Sequence, residues 1–255
     1  MLDVTVVITS CRRFGLLNRT LESFFSTNDY LVSEIIIVED SDDKNVLEIL
    51  EMFPNQGIRV LLNGSNFGQL RSIDIAYSQV KIPYILHMED DWLFCGSGLI
   101  HSAVNILKMN PEILLVQMRT ESDMPSCIRC LPDTVSPVPY KKIPATAHHV
   151  WYSFTFNPSL KRISDYLQLS GGYSAFFDEV SISLYYKDMG KVMAWIKNAD
   201  VRHIGYGCSN YQYKYNSMYE AFRESLKRFF SMKTLYKWQE SLRRRINHFR
   251  RVYKI

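Results

Sequence analysis

The stretch "DVTVVITSCRRFGLLNRTLESFF", residues 3–25, contains the pattern that decides the fold of this chain. Its β-branched run at 4–9 predicts a buried strand, and the apolar residues of 16–25 repeat at helical spacing. A strand followed at once by an amphipathic helix is the opening half of a β–α–β unit. The turn between them carries small polar and basic side chains, which suits a ligand-binding turn as well as an ordinary helix start.

The same alternation of strand and helix continues from there through the first half of the chain. Helices are predicted between the strands, and the further strands are expected at 34–40, 58–63, 84–88 and 113–118. Continuous apolar strands separated by helices predict a mainly parallel sheet that is covered on both faces. Such sheets bind ligands beyond the carboxyl ends of their strands.

The second half has a different character. Residues 121–147 contain five prolines and no helical or strand period, which is typical of a long functional loop. Segment 150–167 predicts an aromatic strand, an Asn-Pro turn and a helix, and 178–190 predicts a helix that ends at a glycine. Residues 191–196 and 200–207 look like the two strands of a short hairpin.

Composition places the chain among ordinary globular proteins, with 47% apolar and 22% charged residues over 255 positions. It has no apolar run near the roughly 18 residues of a membrane span, and its first residues lack the basic region of a signal peptide. Five scattered cysteines suggest free thiols in a reducing compartment, and "CIRC" at 127–130 is interpreted as a loop coincidence rather than a metal or redox site. We therefore expect a cytoplasmic protein.

The end of the chain is strongly basic. Residues 221–255 contain eleven Lys/Arg and two Glu, a net charge of +9, whereas the remainder has a net charge of −5. An apolar stripe from Leu235 to Tyr253 predicts an amphipathic helix. Two interpretations stay open: peripheral contact with an anionic membrane, or packing on the chain's own domain or on a second subunit as a dimer.

Three adjacent carboxylates, Glu89, Asp90 and Asp91, end the strand predicted at 84–88. They repel one another, so they need a compensating cation unless they form a solvated acidic turn. The chain has no G-x-G-x-x-G after a strand, no P-loop and no G-x-S-x-G elbow, which disfavours dinucleotide oxidoreductases, P-loop NTPases and serine hydrolases. A divalent cation held by carboxylates is the remaining device for binding a phosphorylated ligand.

These motifs, in this order, resemble a known family. The stretch 3–25, then "EIIIVEDSDD", then "NFGQLRSIDIAYSQVKIPYILHMEDDW" resemble the nucleotide-sugar half of a GT-A glycosyltransferase, most like family 2. "DEVSISLYYKDMG" and "VRHIGYG" resemble the second half, so the likeness covers roughly 3–210. It implies an α/β GT-A domain at 1–216, with a nucleotide-sugar half at 1–120 and an acceptor half at 121–216, followed by the basic helical tail at 217–255.

The resemblance assigns the donor contacts to polar residues that follow the first four strands. Asp40 would accept a hydrogen bond from the uracil imide, Arg71 would pair with the diphosphate, and Arg12 and Arg13 could reach phosphate. The full donor set is Thr9, Ser10, Arg12, Asp40, Asn66, Gly68, Arg71, Glu89 and Asp90. Each has an ordinary alternative as a helix cap, a solvated loop acid or a surface arginine.

The resemblance also implies a metal site and a general base. Asp91, Glu89 and His203 would hold Mn²⁺ or Mg²⁺, with Glu89 standing where the family usually has the first Asp of D-x-D. Glu179 would take the proton from the acceptor hydroxyl, with Asp178 as the alternative, because the usual Glu-Asp order is reversed here. Both acids could instead stabilise the N-terminus of a helix.

The acceptor side is the least specified part. Trp92, Trp151, Tyr152 and Asn157 are expected to flank the acceptor, although aromatic side chains pack in cores at least as often as they stack on sugars.

Together these expectations describe an enzyme that moves a sugar from a nucleotide-sugar, a UDP-sugar by resemblance, to a hydroxyl group. The predicted acceptor is a glycan or lipid-linked saccharide, as in the synthesis of lipopolysaccharide or another envelope polysaccharide, and the predicted mechanism is metal-dependent and inverting. The alternatives are a nucleotidyltransferase, which typically has a Gly-rich loop after its first strand, or a non-catalytic nucleotide or nucleic-acid binder. The body charge of −5 argues against a nucleic-acid partner.

Overall fold

The chain is described by a computed structural model over residues 2–148 and 153–206. Within those residues the strands are β1 (Val4–Ser10), β2 (Glu34–Glu39), β3 (Ile58–Leu62), β4 (Tyr84–Glu89), β5 (Trp92–Phe94), β6 (Ile113–Gln117), β7 (Tyr140–Ile143), β8 (Ser159–Arg162), β9 (Val192–Ile196) and β10 (Val201–His203). The α-helices are α1 (Phe14–Thr27), α2 (Glu48–Met52), α3 (Gln69–Tyr77), α4 (Leu99–Met109), α5 (Ser126–Arg129), α6 (Ile163–Leu167) and α7 (Glu179–Asp188). Short 3₁₀ turns lie at Lys44–Leu47, Glu121–Asp123 and Tyr173–Ala175.

Eight strands form one sheet, in the order β3-β2-β1-β4-β8-β6-β9-β7. The first four are parallel, as the sequence predicts. β8 runs antiparallel to both β4 and β6, and β7 runs antiparallel to β9, so the second half of the sheet is mixed. Strand order reverses at β1, which has β2 on one side and β4 on the other, and this opens the crevice where such sheets bind ligands.

Both faces of the sheet are covered, as predicted. Every residue of β1 is buried, and its alternate side chains enter two separate cores. Val4, Val6 and Ile8 pack with α1 and α4, whereas Val7 packs with α3 and α7 on the opposite face. A strand with no solvent-facing side is mainly apolar, and this explains the β-branched run at 4–8, in which Thr5 is the one polar residue.

Three predictions about the second half are wrong. The segment 121–147 is not free of regular structure, because it contains β7 and α5. In the described part of the aromatic stretch, residues 153–157, there is no strand, and the strand of this segment lies after Pro158, as β8. Finally, 191–196 and 200–207 do not form a hairpin: β9 inserts between β6 and β7 in the main sheet, while β10 pairs with β5.

The β5–β10 pair is a small antiparallel ribbon beside the carboxyl end of β4. His203 lies opposite Trp92 in its register, and the Ile204 N–H donates to the Asp91 carbonyl at 2.9 Å. The ribbon therefore brings a late segment of the chain onto the acidic triplet, which is more than 100 residues earlier.

The predicted basic tail at 217–255 lies outside the described residues, and its helix, membrane contact and subunit contact remain predictions. In the described part of the chain, no helix has the length and apolar character needed to cross a membrane.

Candidate active site

Hydroxyl groups of α1 fix the turn that carries the acidic triplet. The Thr20 hydroxyl donates to the Asp90 carbonyl at 2.9 Å and accepts from the Trp92 N–H at 3.0 Å. The Ser23 hydroxyl accepts from the Phe94 N–H at 3.0 Å. These side chains satisfy backbone groups that leave the sheet ladder, so the turn is held rigidly against the first helix.

Arg13 is the cation that faces the triplet. Its Nε donates to Asp90 Oδ2 at 3.2 Å, its second terminal nitrogen pairs with Asp90 Oδ1, and its first donates to Asp91 Oδ2 at 2.8 Å. Asp90 has no exposed side-chain surface. Its burial raises its pKa to about 7, although the charge of Arg13 acts in the opposite direction.

Glu89 is held by two neutral donors. Gln69 Nε2 donates to its Oε1 at 2.9 Å, and the indole N–H of Trp92 donates to its Oε2 at 3.3 Å. Burial, followed by repulsion from Asp91 and Glu179, raises the Glu89 pKa to about 7. The effect of Glu179 on this pKa means that the predicted base and the triplet belong to one electrostatic site.

Asp91 is enclosed by the ribbon. Its Oδ2 lies 3.2 Å from His203 Nε2, and Gly205 packs so closely that a Cβ atom there would lie 2.3 Å from the same oxygen. Its other oxygen, Oδ1, is buried and has no hydrogen-bond partner among the described residues. Buried carboxylate oxygens normally accept a hydrogen bond, so this oxygen has an unused position for a ligand.

The donor chemistry of this cluster fits a divalent cation. Carboxylate oxygens suit Mg²⁺ and Mn²⁺, an imidazole nitrogen also suits Mn²⁺, and Asp91 Oδ1 is the available position. Across residues 2–148 and 153–206, however, no three His, Cys, Asp or Glu side chains are already gathered as a metal-binding group. Arg13 contacts two of the three acids, and two neutral donors contact the third.

The predicted base-reading acid, Asp40, is committed to the turn before α3. Its Oδ1 accepts from the Phe67 N–H at 2.7 Å and from Asn63 Nδ2 at 2.9 Å. Its Oδ2 accepts from the Gly68 N–H at 2.9 Å. In this structure Asp40 therefore shapes the donor-side turn, and Gly68 supplies the positive φ of 87° that the turn requires.

The remaining donor-side candidates border the crevice at the end of β1 and around the start of α3. Thr9 and Ser10 are buried at the end of β1, and Asn66 Nδ2 lies 3.4 Å from the Asp40 carbonyl. Arg12 pairs with Asp42 in solvent, and the exposed Arg71 guanidinium lies 4.5 Å from the centre of the Phe67 ring. Their predicted nucleotide contacts stay predictions.

Asp178 and Glu179 have different surroundings. Asp178 is the N-cap of α7: its Oδ1 accepts from the Ser181 N–H at 2.8 Å in a reciprocal capping box. Glu179 turns inward, and its Oε1 accepts from the Phe156 N–H at 3.0 Å. Burial is the largest influence on Glu179 and raises its pKa, which favours Glu179 over Asp178 as a proton acceptor near neutral pH.

Lys161 is a site residue that the sequence analysis missed. It lies on β8, is 3% exposed, and donates to Ser159 Oγ at 2.7 Å with its ammonium 5.6 Å from the Phe154 ring centre. Burial lowers its pKa to about 7, against the attraction of Glu179 and Glu89. A lysine within a short polar strand gives no local signal in the sequence, because only the β4–β8 pairing brings it to these acids.

The residues predicted on the acceptor side differ in their exposure. Trp92 is 1% exposed, so it forms part of the wall behind Glu89 and His203 rather than a surface that an acceptor can reach. Asn157 is half-buried in the turn before β8, whereas Trp151 and Tyr152 lie outside the described residues. Arg119, not foreseen, lies 5.3 Å from the Trp92 ring centre at the carboxyl end of β6 and is paired with Asp123.

The α/β fold, with its parallel half-sheet and an acidic triplet at the carboxyl edge, is of the GT-A class, and comparison with known proteins gives the family. The model of glycosyl transferase family 2 matches residues 5–143, more than half of the chain. The chain therefore belongs to glycosyl transferase family 2. A search of curated protein sequences gives no match.

Solved structures with the same fold are distant in sequence. One is the mannosyltransferase PcManGT from Pyrobaculum calidifontis in complex with GDP-Man and Mn²⁺. It is 14% identical with a TM-score of 0.56, and the match covers 76% of the present chain and 54% of the mannosyltransferase chain. TarS 1–349 from S. aureus is 13% identical with a TM-score of 0.59, covering 78% and 59%. GalNAc-T7 with UDP, GalNAc and Mn²⁺ is 14% identical with a TM-score of 0.59, covering 80% and 43%. The present chain thus spans little more than half of the first two structures.

Proposed function

We propose that this protein transfers a sugar from a nucleotide-sugar to an acceptor hydroxyl, with a divalent cation at the acidic triplet. The observation that carries the proposal is Asp91, which lies in the turn after β4: its Oδ2 is 3.2 Å from His203 Nε2, and its buried Oδ1 has no hydrogen-bond partner among the described residues. Similar folds are known with GDP-Man and Mn²⁺, with UDP-GlcNAc, and with UDP and Mn²⁺, and these ligands support a nucleotide-sugar donor.

On the donor side, the chain's residues would bind and orient the nucleotide. Asp40 stabilises the turn that presents Asn66 and Gly68, and Arg71 follows on the first turn of α3 at the same edge of the sheet. A diphosphate near this helix N-terminus would meet a positive dipole and a guanidinium. Asp91 and His203 would hold Mn²⁺ or Mg²⁺, whose chemistry when bound is to neutralise the leaving diphosphate.

On the acceptor side, Glu179 would remove the proton from the attacking hydroxyl. Its hydrogen bond with the Phe156 N–H fixes the carboxylate, and buried Lys161 favours its ionised form. A single displacement with one base inverts the anomeric centre, and we propose this stereochemical outcome. The donor proposed is a UDP-sugar and the acceptor a glycan or lipid-linked saccharide of the kind used in envelope polysaccharide synthesis.

The test compares wild type with Asp91→Asn, which keeps the side-chain shape but removes the charge. Thermal unfolding is measured with UDP, GDP or CDP, each with and without Mn²⁺, and release of nucleoside diphosphate from the matching donor is followed by mass spectrometry. Wild type should be stabilised by UDP with Mn²⁺ and should turn over UDP-sugar. Asp91→Asn should fold and lose both responses, and full donor turnover in this variant would contradict the proposal.

A further inference from the structure

Arg13 makes the most extensive ion-pair contact around the proposed site. Its guanidinium spans both buried acids, with a two-point contact on Asp90 and one bond of 2.8 Å to Asp91 Oδ2. Its side chain is 20% exposed, against 0% for Asp90 and 6% for Asp91. A planar guanidinium in this position is an effective internal counter-ion, because its fork matches carboxylate geometry.

Other nearby arginines do not share this task. Arg12 turns to Asp42, and Arg71 packs on Phe67, so in the described part of the chain Arg13 alone among these three contacts the triplet. Arg13 is also pre-positioned, because its backbone is the N-cap residue of α1. It is therefore held where a divalent ion would have to approach the same carboxylates.

Asp91 is the point of conflict. Its Oδ2 is already shared by Arg13 and His203, while its Oδ1 has no partner in the described residues. A divalent ion on Oδ1 would lie within a few ångströms of the guanidinium, and like charges at that separation in a partly buried site repel strongly. The triplet thus has a cation before any metal arrives, which agrees with the lack of a ready three-ligand group in the described residues.

We propose that Arg13 competes with the divalent cation for Asp91, so that metal binds tightly only together with a nucleoside diphosphate. The inference rests on the proposed metal site. The diphosphate adds negative charge beside the guanidinium, and Arg13 can then pair with phosphate oxygens while Asp91 is released to the metal. Arg13 is in this sense a positioning residue that sets the order of binding.

The experiment measures Mn²⁺ binding without any turnover. Free Mn²⁺ is counted by electron paramagnetic resonance during titration of wild type, Arg13→Gln and Arg13→Lys, with and without UDP. The thermal unfolding midpoint is recorded at each Mn²⁺ concentration. Arg59→Gln is the matched control, because it removes an arginine that pairs with Glu34 on the β2–β3 edge.

The expected result is a change in the affinity for Mn²⁺ when no UDP is present. Arg13→Gln should bind Mn²⁺ without UDP on the order of tenfold more tightly than wild type, since a nearby positive charge is gone. UDP should tighten Mn²⁺ binding in wild type and have a much smaller effect in Arg13→Gln. Arg13→Lys keeps the charge but not the fork, so its Mn²⁺ affinity should lie between those of wild type and Arg13→Gln, and Arg59→Gln should behave like wild type.

A variant that leaves Asp90 unpaired could fold poorly, so Arg13→Gln with Asp90→Asn is measured as well. This pair replaces the buried charges by neutral side chains of similar shape and leaves Asp91 intact. It should still bind Mn²⁺ more tightly than wild type, but by less than Arg13→Gln, because a neighbouring negative charge is removed as well. Equal Mn²⁺ affinity in wild type and both neutral variants would overturn the role of Arg13, while absence of Mn²⁺ binding in every protein, even with UDP, would refute the metal site of the proposed function itself.

Discussion

Replacement of Glu179 by Gln tests the assignment of the general base. Glu179 Oε1 accepts a hydrogen bond from the Phe156 N–H at 3.0 Å. The amide oxygen of Gln can accept the same hydrogen bond, so the N-terminus of α7 should stay in place. The variant cannot take a proton. A positioned general base contributes about 10²–10⁴-fold to rate, or about 3–5 kcal/mol of barrier. We therefore expect kcat to fall by about that factor with an unchanged unfolding midpoint.

Asp178→Asn is the informative comparison because the two acids are adjacent and the sequence left the choice open. Asn caps helices about as well as Asp, so the capping box at Ser181 should survive. We expect kcat of this variant within a few-fold of wild type. The assay is initial-rate release of nucleoside diphosphate at saturating donor and acceptor, with circular dichroism melts for both variants.

The pH profile gives a second readout of the same assignment. Burial raises the Glu179 pKa, and a base must be ionised to act, so wild-type activity should be lost as pH falls through that raised value. Glu179→Gln should lack this acid limb. The reasoning is refuted if Glu179→Gln keeps more than about a tenth of wild-type kcat, or if Asp178→Asn loses as much as Glu179→Gln.

Two further perturbations act on residues that only the structure revealed. Lys161→Met should leave folding intact, because a methionine of similar length replaces a buried charge, and should move the acid limb of kcat to higher pH, because the cation that favours ionised Glu179 is removed. An unmoved limb in the pH–rate profile would show that Lys161 does not act on the base. Gly205→Ala should displace the Asp91 carboxylate, since the added Cβ would lie 2.3 Å from Asp91 Oδ2. Loss of Mn²⁺-dependent stabilisation in thermal melts, with the β-sheet circular dichroism signal retained, is the expected result, and wild-type Mn²⁺ behaviour would contradict it.

Much of the fold could be predicted because it depends on local pattern. The β-branched run of β1 reflects burial of both faces of the strand, and the helical spacing of α1 reflects burial of one face of the helix. Both patterns are visible in the sequence. The failures lie where strand partners are distant in the chain. β7 is short and set among prolines, and β9 and β10 are adjacent in sequence yet join different sheets, which no local period can reveal.

The candidate site divides in the same way. The acids of the triplet, Asp40 and the Asp178–Glu179 pair could be found because charges at the ends of apolar segments stand out, and carboxyl ends of parallel strands meet at one edge. Arg13 could be foreseen only as one of two adjacent arginines. That it, and not Arg12, faces the triplet follows from the backbone of the turn, where Arg12 has a φ of +54°.

The sequence alone therefore determined the class of fold, and it predicted the edge of the sheet and the residue types that we propose for the chemistry. Tertiary structure decided which of those residues remain available. It commits Asp40 and Asp178 to turns and caps, covers Trp92, buries Lys161 beside Phe154, and leaves one buried oxygen of Asp91 without a hydrogen-bond partner among the described residues. The physical reason is that charge and period are properties of the chain, whereas desolvation and hydrogen-bond saturation depend on neighbours that only folding supplies.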